Sequence, residues 1–204
     1  MSGRKSHWDS AYATKGDDVS WYQPNPGRSL EMIAAAAPMR GASIIDVGAG
    51  ASRLVDNLLD FGYTDVTLLD VSEVALDATR RRLGGVSGKV SWIAADITSW
   101  QPDRSRDVWH DRAVFHFLTD EAAQNAYLSA LKQGTRLGSA IILFTFALTG
   151  PAKCSGLPVQ RYSAETLADR LGPDFSLYTN GTERHPTPFG TTQDFTYAGF
   201  RRCR

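Results

Sequence analysis

The chain has 204 residues, of which 42% are hydrophobic, 22% charged and 10% aromatic; that suits one compact α/β domain and is short for two. The 22 basic and 22 acidic side chains cancel, so no bulk positive field exists to hold nucleic acid non-specifically. Two cysteines, Cys154 and Cys203, cannot build a disulfide framework or a four-ligand metal site, which points to a reduced, cytoplasmic protein.

The first residues, MSGRKSHWDSAYATKG, have no apolar core of a secretory signal. The longest apolar run, 140–148, is interrupted by Thr145 and is too short to span a membrane. Residues 1–25 are polar yet carry Trp8, Tyr12, Trp21 and Tyr22. Solvated tails are poor in aromatics, so this segment is expected to fold as a lid over a single domain of residues 26–204.

Leu30, Ile33, Ala34 and Ala37 share one helical face, which Pro38 and Gly41 close. Strands and helices then alternate. SIIDV (43–47) reads as a buried strand. A glycine turn and a helix with Leu54, Val55, Leu58 and Leu59 inward come next. VTLLD (66–70) is a second strand, and Ser72 is placed to cap a helix running to Leu83. Residues 90–94 and 107–111 read as strands, 120–133 as a helix, and 139–146 as the most apolar strand, expected at the sheet centre. Ser163 is placed to cap a last helix with Leu167, Ala168 and Leu171 inward. Two strands, 175–179 and 193–200, end the chain around a loop at 180–192. The pattern predicts a Rossmann-like, doubly wound, mainly parallel seven-stranded sheet with a C-terminal antiparallel hairpin.

The first strand ends in Asp46-Val47-Gly48-Ala49-Gly50-Ala51-Ser52, where paired glycines let backbone approach a ligand at the carboxyl edge of the sheet. Asp70 ends the second strand 22 residues after Gly48, the spacing of an acid that binds ribose hydroxyls. Asp96 follows the third strand, within reach of an adenine edge. A dinucleotide would set its pyrophosphate beside Asp46, and Arg53 stands where its motif needs a third glycine. S-adenosylmethionine carries an ammonium and a sulfonium instead of phosphates, and Asp46 suits those cations.

The stretches HWDSAY, IDVGAGAS, VTLLDVS, ADI and DVWHDRAVFHFL resemble class I SAM-dependent methyltransferases over about residues 8–118. They are similar to the methyltransferase-like lysine methyltransferases of elongation factor and citrate synthase and their small bacterial relatives. The resemblance implies that Gly48, Ala49 and Gly50 approach the methionine part and that Asp70 and Val71 take the ribose. It implies that Asp96 and Ile97 flank adenine, that Arg112 lines the site, and that Trp8 and Tyr12 lie at the cofactor. Trp21 is expected to join that aromatic lid.

Asp111, Arg112 and His116 follow the fourth strand, where an acceptor should meet the methyl group. His116 is a candidate general base, with packing beneath the loop as the plainer reading; His110 reads as structural. The lysine enzymes carry an acid where His116 stands, which favours a small-molecule acceptor such as a thiol over a protein lysine. A SAM-binding module without turnover remains open, because binding and catalysis need different residues. Cys154 and His185 are lesser polar candidates. Neither a nucleic-acid nor a membrane partner is expected, and oligomeric state is not readable.

Overall fold

The computed structural model describes residues 2–15, 19–20 and 22–204. Helix α1 (Ser2–Lys15) and helix α2 (Gly27–Ala36) precede strand β1 (Ser43–Val47). Then come α3 (Leu54–Asp60), β2 (Asp65–Asp70), α4 (Glu73–Leu83), β3 (Val90–Ala94), β4 (Arg106–Arg112), α5 (Glu121–Gln133) and β5 (Thr135–Phe146). A two-residue hairpin, β6 (Lys153–Cys154) and β7 (Leu157–Pro158), leads to α6 (Ala164–Leu171), β8 (Phe175–Pro186) and β9 (Thr192–Arg202).

The seven-stranded sheet has the order β3-β2-β1-β4-β5-β9-β8. Strands β1 to β5 are parallel, while β9 is antiparallel to β5 and β8 to β9. Every residue of β1 is buried, because helices cover both faces. Ile44 packs with Ile33, Leu54 and Leu58 of α2 and α3 on one face. Ile45 packs with Tyr127, Leu131 and Leu167 of α5 and α6 on the other. The order reverses between β1 and β4, so their following loops diverge and leave a crevice at the carboxyl edge.

The expected caps form. Ser72 Oγ accepts the Ala75 N–H at 3.3 Å, and Ser163 and Thr166 make a reciprocal capping box. Three expectations change. First, β4 rather than β5 lies in the middle, because the C-terminal hairpin adds two strands beyond β5. Second, β5 begins at Thr135, opposite Arg106, four residues earlier than its apolar run. Third, β8 and β9 are far longer than 175–179 and 193–200, and the connecting loop shrinks to 187–191. Strand β8 is an edge, exposed on alternate residues, so it reads as a polar loop. Gly181 belongs inside it: an added Cβ would stand 2.4 Å from the Tyr197 hydroxyl.

The aromatic N-terminal segment contains α1, which lies over the crevice. Trp8 meets Phe117 edge-to-face at 5.1 Å, and Ser72 Oγ donates to Asp9 at 2.7 Å. Among the described residues no helix is long and apolar enough to cross a membrane.

Candidate active site

The loop after β1 turns towards β2: Gly48 and Ala49 donate their N–H groups to the Leu69 carbonyl at 2.7 and 3.1 Å. Gly48 has φ +69° and Gly50 φ +53°, conformations in which a side chain is strained. Both lack room as well. A Cβ on Gly48 would lie 1.9 Å from Val114 Cγ2, and one on Gly50 would lie 2.2 Å from the Tyr12 hydroxyl.

A cleft with a cavity volume of about 100 Å³ opens beside this loop. Trp8, Tyr12, Gly48, Asp70, Val71, Asp96, Ile97 and Arg112 line it, with Val114, Phe117, Leu118 and Cys154. A second, more polar lobe of about 50 Å³ is lined by Asp46, Ala49, Ser29, His110, Tyr22 and Gln23. Tyr12, Gly48 and Arg112 face both lobes. Gly50 lines neither; it lies beneath Tyr12. Trp21 is outside the described residues.

Asp70 is buried rather than exposed at its strand end. Its carboxylate accepts the Gly50 N–H at 2.8 Å and the Ser72 N–H at 2.7 Å. Burial pushes its pKa up to about 6, against the pull of those two hydrogen bonds. Asp96 accepts from the Thr98 backbone and hydroxyl at 2.9 and 2.7 Å, which holds the turn beneath the cleft.

Two of the three catalytic candidates do not reach the cleft. Asp111 points to the α5 face, where it accepts from Val114 N–H at 2.9 Å, Phe115 N–H at 3.1 Å and the Tyr127 hydroxyl at 2.7 Å. Burial raises its pKa to about 6. It fixes the turn after β4. His116 is fully buried between Phe117 and Phe146, and its Nδ1 accepts the Phe146 N–H at 3.2 Å. Burial lowers its pKa to about 3, so the ring is neutral and enclosed. The single helical turn Phe115–Phe117 carries it out of the lining of both lobes and against Phe117 and Phe146.

Arg112 alternates to the opposite face of β4 from Asp111 and lines both lobes. Its guanidinium lies 4.9 Å from the Phe144 ring centroid and 4.5 Å from that of Phe195, and it pairs with Glu183 at 2.9 Å. Gln23 donates to the same Glu183 oxygen at 2.9 Å, which ties the N-terminal segment to β8. Glu183 was hidden in the stretch that reads as loop; only the alternation along β8 signals it. His185 donates from Nε2 to the Ser20 carbonyl at 2.8 Å, a second tie between the same segments. Cys154 faces the first lobe, with its thiol pushed up to about 12 by burial and therefore un-ionised.

Residues 44–134 match the family model described as a methyltransferase domain. Over that span the chain is similar to this family. It is 28% identical over 124 residues to the eEF1A lysine and N-terminal methyltransferase of Bos taurus, covering 58% of this chain and 17% of that protein. It is 30% identical over 114 residues to the trans-aconitate 2-methyltransferase of Rhizobium etli, covering 55% and 41%. The chain thus spans less than half of either relative. The fold of this chain is similar to that of Burkholderia thailandensis 1,6-didemethyltoxoflavin-N1-methyltransferase, solved with bound 1,6-didemethyltoxoflavin and S-adenosylhomocysteine. The TM-score is 0.73 at 19% identity, covering 98% of this chain and 88% of that one.

Proposed function

We propose that the chain binds S-adenosylmethionine across the two lobes and methylates a small-molecule acceptor. One observation carries the reading: acids at the ends of β1 and β2 and just beyond β3 line a cleft whose two lobes meet at Gly48, where a Cβ has no room. The donor set fits this cofactor. Val71, Ile97 and Leu118 offer apolar surface to an adenine, Asp96 its edge, and Asp70 a carboxylate to ribose hydroxyls. Asp46 offers negative charge to an α-ammonium in the polar lobe. The sulfonium supplies an electrophilic methyl group when bound.

The chain's own part is alignment and exclusion of water. Trp8, Tyr12 and Phe117 roof the first lobe, and Arg112 bridges it to the second. Among the described residues no imidazole lines the first lobe, and the Cys154 thiol is un-ionised. With Asp70 and Asp96 given to the cofactor, this lining suits an acceptor that brings its own nucleophile: a thiolate, a carboxylate or a neutral nitrogen lone pair. The roof of α1 favours a small molecule over a lysine on a folded protein, while the likeness to the bovine lysine enzyme favours the latter. The two free cysteines accord with a cytoplasmic location.

The test is a transfer assay with methyl-labelled S-adenosylmethionine against a metabolite extract and a protein extract, with products identified by mass. Label in a small molecule with matching S-adenosylhomocysteine is expected. Label confined to protein overturns the acceptor class, and cofactor binding without turnover would leave a binding module.

A further inference from the structure

The polar lobe contains a buried relay that the proposed chemistry has not used. His110 Nδ1 lies 2.7 Å from Asp46 Oδ1, and His110 Nε2 lies 2.9 Å from Ser29 Oγ. The three residues come from β4, β1 and α2 and are 1%, 3% and 1% exposed. All three line the same lobe. An ionised carboxylate only accepts, so Nδ1 carries the proton that faces Asp46. In the neutral ring, Nε2 is then an acceptor, and the Ser29 hydroxyl supplies its donor. Ser29 thereby selects the tautomer that His110 needs to hold Asp46. The bonding order is that of a hydrolytic triad, but Ser29 sits in the first turn of α2 at 1% exposure.

We propose that His110 and Ser29 are positioning residues that hold the Asp46 carboxylate towards the α-amino group of the cofactor's methionine end. This rests on the reading that the cleft binds S-adenosylmethionine. A fixed carboxylate with its charge intact recognises an ammonium without reorganising on binding. A carboxylate released from the ring would turn towards other donors and lose that alignment. The relay therefore serves the amino-acid end of the ligand and has no hold on the adenosine end, which lies in the other lobe.

The experiment uses the full chain and two ligands that share adenosine and a thioether: S-adenosylhomocysteine, which has the amino-acid end, and methylthioadenosine, which lacks it. Calorimetry compares wild type, His110→Ala, His110→Asn and Ser29→Ala, with melting curves recorded alongside. His110→Ala should weaken S-adenosylhomocysteine about ten-fold, the scale of one charge-assisted hydrogen bond, and leave methylthioadenosine unchanged. His110→Asn keeps an N–H donor for Asp46 and should recover most of the loss. Ser29→Ala should cost about three-fold on the first ligand only, the scale of a weaker neutral bond. In an Asp46→Asn background, His110→Ala should add no further loss. Equal weakening of both ligands, or of neither, overturns the positioning role. If His110→Ala does not fold, the Asn and Ser29 variants decide by the same ligand contrast. Failure of wild type to bind either ligand instead overturns the cofactor reading itself, and the relay's role with it.

Discussion

The Asp70 carboxylate accepts the Gly50 backbone N–H at 2.8 Å, so the acid that ends β2 also clamps the glycine loop that follows β1. The same carboxylate caps the start of α4 through Ser72 N–H. One side chain thus joins the proposed ribose site to the backbone that shapes it.

Asp70→Ala should lower both cofactor affinity and stability. It leaves two buried N–H groups without their acceptor, each worth about 1–3 kcal/mol, and removes the acceptor for ribose hydroxyls. The pH dependences of the wild type have opposite signs. Because the folded pKa of about 6 lies above the ordinary carboxylate value of 3.8, the folded state holds its proton more tightly. This group's contribution to stability is greatest below about pH 4 and is lost as pH rises to about 6. Ribose hydroxyls donate to the ionised form, so affinity should rise with pH through about 6. Calorimetry from pH 5 to 8 should show that step in wild type and a weaker, flat profile in Asp70→Asn.

Gly50→Ala places a methyl group against the Tyr12 hydroxyl and strains a φ of +53°. The strain alone is worth about 1–2 kcal/mol. Affinity should fall at least ten-fold as Tyr12 is displaced from the cleft. Tyr12→Phe in the same chain removes the clashing oxygen and should recover part of the loss. Thermal melts and binding isotherms of the two single variants and the double variant give the coupling.

His116→Ala should destabilise the domain without the rate loss of a missing base. A base would cost ~10²–10⁴-fold in turnover, whereas a packing residue should leave kcat within a few-fold once the enzyme is folded and saturated. Its pH signature is in stability. The folded pKa of about 3 lies below the ordinary histidine value of 6.5, so the unfolded state binds the proton first. Stability should fall as pH drops from about 6.5 towards 3, by about 1.4 kcal/mol per unit. Denaturant curves between pH 4 and 7 should be flatter for His116→Gln.

Deleting residues 1–22 should leave a cooperative fold with poor cofactor affinity. The deletion removes Trp8 and Tyr12 from the cleft, the Trp8–Phe117 contact and the Asp9–Ser72 tie. It leaves the seven-stranded sheet whole. Calorimetry on the truncated chain checks it; affinity equal to that of the full chain would reduce the aromatic cover to packing.

Periodicity, turn residues and caps are local, and they made most of the architecture readable in the sequence. Alternating apolar runs marked β1 to β4, Ser72 and Ser163 marked helix starts, and the glycine loop with Asp46, Asp70 and Asp96 marked the edge where a ligand would lie. What the chain order could not decide was the direction of single side chains after β4. Asp111 and Arg112 are neighbours in sequence, yet strand alternation sends one to the α5 face and the other to the cleft. A helical turn buries His116 against Phe117 and Phe146, although Arg112, four residues earlier, lines the cleft. Glu183 and Gln23 meet across 160 residues, and Ser29 reaches His110 across 81. Such pairs form only when the sheet brings β8 beside β9 and packs α2 against β4, so their roles belong to tertiary packing. Local sequence sets the elements; long-range burial of charge decides which polar groups are enclosed and which face a ligand.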